Sequence, residues 1–181
     1  MGLTLYVGAD EAGHGSRKSD EIIVAAFSLY HGDGGKIHIP VGRNSNSAKN
    51  YLATQGKGWL FTLNGKFARE SLTLEVPGLI DYWVRKNDLA KDDLRIASAF
   101  DGELNLGRQE QFKEEMRRRY NFSEDIDIRH HAKTQHIGKR KEKSYDSKLV
   151  WAADSIASNL FMESRKKINL RGHQQYVPVE N

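Results

Sequence analysis

Leu3-Thr4-Leu5-Tyr6-Val7-Gly8-Ala9-Asp10-Glu11-Ala12-Gly13-His14-Gly15 runs from an apolar, β-rich segment straight into two adjacent carboxylates and a glycine-rich turn. The apolar, β-rich run up to Ala9 predicts a strand, and Gly13 and Gly15 predict a turn after it. Carboxylates at the exit of a buried strand suit two roles. They favour turns through local hydrogen bonds, and they are hard oxygen donors for divalent cations. Deciding between these roles requires knowing what the neighbouring strands bring to the same edge.

Outward from this segment, Glu21 to Tyr30 is a second strand, and the glycines of residues 31–35 suit a hairpin turn. Lys36 to Pro40 alternates apolar and polar residues and predicts a third strand. Ser45 to Gln55 reads as a short helix and Trp59 to Leu63 as an extended piece, while Leu72 to Val76 is ambiguous. Pro77 suits a first helical turn, and Leu79, Ile80, Trp83 and Val84 recur at helical spacing, predicting a helix over 77–87. Leu94 to Phe100 is a strand ending at Asp101-Gly102. A polar helix over Arg108 to Tyr120 follows, anchored by Phe112 and Met116, then a strand over Ile126 to Ala132. Asp146 to Met162 is the most strongly helical segment of the chain. Three antiparallel strands followed by strand–helix units predict an α/β fold with a mixed sheet and helices on both faces. One domain over 1–163 and a polar tail over 164–181 are expected.

Composition narrows the chemistry. The chain has 181 residues, enough for one well-packed domain, and 28 Lys and Arg against 24 Asp and Glu. The resulting charge of +4 is compatible with a polyanionic partner. Because there is no cysteine, disulfides, thiolate metal sites and cysteine nucleophiles are excluded. No run of about 20 apolar residues exists to span a bilayer. The first residues show no basic, apolar leader pattern, so a cytoplasmic location is expected.

Acids stand at telling places in three of these elements. Asp10 and Glu11 end the first strand, and Asp101 ends a later one, again before glycine. Asp154 lies in a helix rich in apolar residues, near Val150 and Ala157, where a carboxylate is expected to need a partner. Asp146 opens the same helix, either as an N-cap or as a further metal ligand. Adjacent carboxylates repel one another, and a divalent cation relieves that repulsion.

Gly8-Ala9-Asp10-Glu11-Ala12-Gly13-His14-Gly15 resembles the Gly-x-Asp-Glu-Ala-Gly-Arg-Gly opening of type 2 ribonucleases H, with His14 in place of the arginine. Phe100-Asp101-Gly102 is similar to the family's second acidic strand end, and residues 150–157 to its small-residue C-terminal helix. Asn46-Ser47-Ala48-Lys49 is loosely similar to an Asp-Ser-Lys segment of the family. The family's last acid precedes that helix, which points to Asp146. In other ribonuclease-H-like families an Ala-Asp-x-x-Ala close carries it within the helix, which points to Asp154. The resemblance implies a ribonuclease-H-like fold and dependence on Mg²⁺ or Mn²⁺. It further implies cleavage of the RNA strand of RNA–DNA hybrids or of structured RNA, with Asp10, Glu11, Asp101 and Asp154 or Asp146 as metal ligands. Gly13, His14, Gly15 and Lys49 then become nucleic-acid contacts.

The basic loop preceding the last helix holds Lys139, Arg140, Lys141 and Lys143, suited to phosphate contacts that position a nucleic acid without reading its sequence. Adjacent His130 and His131 fall on opposite faces of their strand, so both do not serve one ion. His136 and His14 are candidate proton shuttles. A non-catalytic nucleic-acid-binding protein on the same fold is the rival reading.

Overall fold

The structure is a computed structural model that describes residues 3–13, 21–31, 57–64, 71–101, 104–122, 126–131 and 145–165. The predicted strand at 36–40, the short helix at 45–55 and the tail beyond 165 lie outside the described residues. Among the described residues, five strands make one sheet: β1 (Leu3–Ala12), β2 (Glu21–His31), β3 (Lys57–Asn64), β4 (Leu94–Asp101) and β5 (Ile126–His131), in the order β3-β2-β1-β4-β5. β1 pairs antiparallel with β2, and β2 with β3. β4 runs parallel to both β1 and β5. The mixed sheet is the one expected, and Trp59 to Leu63 proves to be one of its three antiparallel strands.

Helix α1 (Ser71–Lys86), α2 (Leu106–Glu114) and the π-helical turn Glu115–Arg119 that continues α2 pack on one face, while α3 (Tyr145–Arg165) packs on the other. The pleat divides each strand between the two cores. Leu5, Val7 and Ala9 of β1 join Ile23, Ala25 and Phe27 of β2 beneath α1, where Phe27 stacks on Trp83 with centroids 5.2 Å apart. Ile22, Val24 and Ala26 turn the other way and meet Trp59, Phe61 and the Leu149, Ala153, Ile156, Ala157 and Leu160 side of α3. No helix among the described residues is long and apolar enough to cross a membrane.

α1 starts six residues before Pro77, contrary to the expected first-turn proline. Leu72 and Val76 stand in the same i, i+4 register as Leu79, Ile80, Trp83 and Val84, and all six are buried. Proline inside a helix forgoes one backbone hydrogen bond. Here the continuous apolar stripe outweighs that loss.

Near its C-terminal end, α1 buries Asp81 among apolar neighbours, a feature unmarked by any sequence pattern. Its carboxylate accepts from Arg85 Nε at 2.8 Å and from Lys91 Nζ at 2.5 Å. Lys91 also donates to the Tyr120 carbonyl and lies 4.7 Å from the centre of the Phe122 ring. The ammonium thus ties the end of α1 to the chain leaving the π-helical turn. Arg85 is 63% exposed, so its share is small, whereas Lys91 is only 24% exposed. Asp81→Ala is expected to cost about 2–3 kcal/mol, below the range for fully buried pairs because Lys91 keeps some solvent. Urea denaturation checks this, and a loss under about 0.5 kcal/mol would put the network among ordinary surface pairs.

Candidate metal centre

Position 10 owes its surroundings to the parity of β1. Tyr6 and Ala12, of the same parity, pack with the α3 core. Gly8 lies directly under α3: a Cβ built there would stand 2.3 Å from the Leu149 carbonyl carbon and 2.4 Å from the Val150 nitrogen. Asp10 therefore belongs to the α3 face of the sheet, one pleat repeat beyond the closest approach of helix and strand. It is 5% exposed, and its Oδ1 accepts from the Glu11 N–H at 2.8 Å. The strand closes on Gly13, whose φ of 95° is a conformation that side chains resist.

Glu11 has the opposite parity, that of Val7 and Ala9, and so belongs to the α1 face. Adjacent positions in a strand do not share a face, so the two carboxylates of the motif are separated by the pleat.

The parallel partner supplies a second acid. Leu3↔Leu94 through Ala9↔Phe100 align β1 with β4, and the next step of that register sets position 101 beside position 10. Ala9 and Phe100 share the α1 core, so 10 and 101 share the α3 face. Neighbouring strands lie about 4.8 Å apart, within the span of ligands to one ion or to an ion pair. β5 extends the row, because Asp101 pairs with His131. Across the sheet the row on the α3 side reads Phe61, Val24, Asp10, Asp101, His131. The strand register that brings position 131 to this row cannot be read from spacing along the chain.

Helix α3 separates the two remaining acids. Taking the point facing Gly8 as the centre of its contact face, position 146 falls within about 10° of that centre and position 154 about 90° away. Burial follows this angle: Leu149, Val150, Ala153, Ala157 and Leu160 are buried, whereas Trp151, Asp154, Ser158 and Met162 are exposed. The expectation that Asp154 is enclosed by apolar side chains is corrected here. It is exposed and accepts a 3.4 Å hydrogen bond from the Ser158 hydroxyl. Val150 and Ala157 do flank it, but they mark the near rim of the buried stripe, whose centre lies on their far side. Asp146 is the second residue of α3, inside the first turn rather than the residue that caps it. Among the described residues no three His, Asp or Glu side chains gather as a metal-holding group, so Asp10, Glu11 and Asp154 do not form one together.

His14, Gly15, Lys49, His136, Lys139, Arg140, Lys141 and Lys143 lie outside the described residues.

No family model matches the chain, and no curated protein matches it. Among solved structures it is similar to the complex of PCNA with ribonuclease HII from Archaeoglobus fulgidus. The TM-score is 0.45, with 14% identity over 96% of this chain and 83% of that one. The fold assignment rests on the strand order and register, not on that superposition.

Proposed function

We propose that this chain is a divalent-metal-dependent nuclease of the ribonuclease H type, acting on the RNA strand of RNA–DNA hybrids or on structured RNA. The observation that carries the reading is the juxtaposition of positions 10 and 101. They stand side by side at the C-terminal ends of two parallel strands, on the face that α3 covers. Crevices beyond the carboxyl ends of parallel strands are where open α/β sheets hold ligands.

The donor set fits Mg²⁺ or Mn²⁺: carboxylate oxygens are hard ligands, and the chain has no thiolate to compete. Asp10 and Asp101 hold the ions, Asp146 completes the set from the sheet-facing stripe of α3, and Glu11 reaches the site only around the end of β1. A bound pair of ions supplies an activated water and neutralises charge on the leaving 3′-oxygen. Asp10, almost wholly buried and fixed by the Glu11 N–H, presents its carboxylate without reorganising. Beyond the acids, Gly13, His14 and Gly15 contact the nucleic-acid backbone. Lys49, Lys139, Arg140, Lys141 and Lys143 contact phosphates and set the register of the substrate.

The test is cleavage of end-labelled RNA–DNA hybrid, duplex RNA, hairpin RNA and duplex DNA with Mg²⁺, Mn²⁺ or a chelator. Metal-dependent cleavage of the hybrid or of RNA is expected. Salt-sensitive binding with no cleavage under either metal overturns the nuclease reading in favour of a binding protein on the same fold.

A further inference from the structure

The pleat turns Glu11 away from Asp10, and the sheet register shows what it meets on the α1 face. Glu11 pairs with Ile23, and Ile23 pairs on its other side with Thr62. Glu21, the first residue of β2, stands two positions from Ile23 and is diagonal to both Glu11 and Thr62. All three share one face. Glu11 has the parity of Val7 and Ala9, Glu21 that of Ile23 and Ala25, and Thr62 that of Leu60, residues that all belong to the core beneath α1. The next step of the β1–β2 register sets Gly13 beside Glu21, so no side chain fills that flank.

Glu21 is 7% exposed, Thr62 is 1% exposed, and the Oε2 atom of Glu11 is itself buried. The Thr62 hydroxyl has no hydrogen-bond partner among the described residues. A hydroxyl in that state has lost its hydration without compensation, a cost that an oxygen-seeking ligand removes. Two carboxylates that close on one buried spot repel one another and lose hydration as well. Diagonal neighbours lie about 7–8 Å apart, within reach of side chains as long as glutamate. Oxygens bound to one divalent ion at about 2.3–2.6 Å stand no more than about 5 Å from each other.

We propose that Glu11, Glu21 and the Thr62 hydroxyl hold a divalent cation on the α1 face, separate from the Asp10 centre. The three oxygen donors are hard, which suits Mg²⁺, Mn²⁺ or Ca²⁺, and water completes the shell of an ion held by two carboxylates. Such an ion ties the C-terminal ends of β1 and β3 to the start of β2. It also takes up the carboxylate that the pleat withholds from the Asp10 centre.

Mn²⁺ is the probe, with the bound ion counted by electron paramagnetic resonance. The proteins are Asp10→Asn, Asp10→Asn/Glu21→Gln and Asp10→Asn/Thr62→Val, so that the Asp10 centre is disabled throughout. Asp10→Asn is expected to retain one bound Mn²⁺. Adding Glu21→Gln or Thr62→Val is expected to weaken its binding by about tenfold or more, the scale on which single residues around a site tune metal affinity. Thermal unfolding supplies a second readout. In a chelator, Thr62→Val is expected to leave Tm unchanged or raised, because it removes an unsatisfied hydroxyl at nearly constant shape. Added Mn²⁺ is then expected to raise Tm in Asp10→Asn and to do so less in either double variant.

An Asp10→Asn protein that binds no Mn²⁺, or binding that neither added substitution weakens, overturns the proposal. A lysine or arginine occupying the place of the ion gives the first of these results. A fall in Tm on Thr62→Val in chelator also overturns it, since the hydroxyl then has its partner within the fold. None of these outcomes touches the nuclease reading, which cleavage by the Asp10 centre tests by itself.

Discussion

Gly8→Ala is expected to destabilise the protein by about 3 kcal/mol, the upper end of the usual overpacking penalty, because the clash is with backbone rather than with a movable side chain. The added Cβ would meet the Leu149 carbonyl carbon at 2.3 Å and the Val150 nitrogen at 2.4 Å, well inside contact distance. Only a shift of α3 away from β1 relieves this. Such a shift opens the core formed by Ile22, Val24, Phe61, Ala153 and Ala157, all nearly inaccessible to solvent. A domain of this size has about 5–15 kcal/mol in hand, so the loss is a large share of the total. It corresponds to a fall in Tm of roughly 6–12 °C by calorimetry. Gly107→Ala is the control: its Cβ meets nothing nearer than Asn105 Oδ1 at 3.5 Å, and alanine in a helix is favoured over glycine by about 0.5–1 kcal/mol. A Gly8 variant as stable as the Gly107 variant would mean that α3 does not bear on β1 as described.

The same close contact explains which parts of the fold were legible in the sequence. Leu3 to Ala9, Glu21 to Tyr30, Trp59 to Leu63, Leu94 to Phe100 and Ile126 to Ala132 all read as extended, because each is an apolar run bounded by turn residues or acids. Position along the chain does not reveal partners, however, so the row Asp10, Asp101, His131 emerged only with the strand order. Pro77 misled because proline favours the start of a helix, while Leu72 and Val76 already continued its apolar stripe. Asp154 misled for a related reason. Its flanking apolar residues were weighed by proximity, whereas burial depends on the centre of the stripe. Asp146, Val150, Ala153, Ala157 and Leu160 follow a heptad spacing that puts Asp146 in phase with the buried residues and Asp154 out of it. That phase is visible in the sequence itself, whereas an acid at the start of a helix equally suits an N-cap.

A carboxylate series follows from this geometry and has the second large effect. Asp10→Asn and Asp146→Asn are each expected to lower the rate of metal-dependent cleavage by about 10²–10³-fold, equivalent to about 3–4 kcal/mol of transition-state stabilisation. Asn keeps the shape of Asp but removes the charge that offsets a divalent cation, so folding is little disturbed while metal affinity falls. Asp154→Asn is expected to change the rate by less than about twofold, since the carboxylate is exposed and, among the described residues, is bonded to the Ser158 hydroxyl rather than to a charge. The positions lie about one helical turn to either side of the Gly8 contact, at heights of about 5 Å and 7 Å along α3. Distance along the axis therefore does not distinguish them, and the angle about it does. Single-turnover cleavage by the three variants reads the difference directly. If Asp154→Asn is the crippled variant and Asp146→Asn retains wild-type rates, α3 presents to the metals a face about 90° from the one that meets Gly8. The assignment of the last acid then passes from the first turn of the helix to its middle, with Asp10 and Asp101 retained.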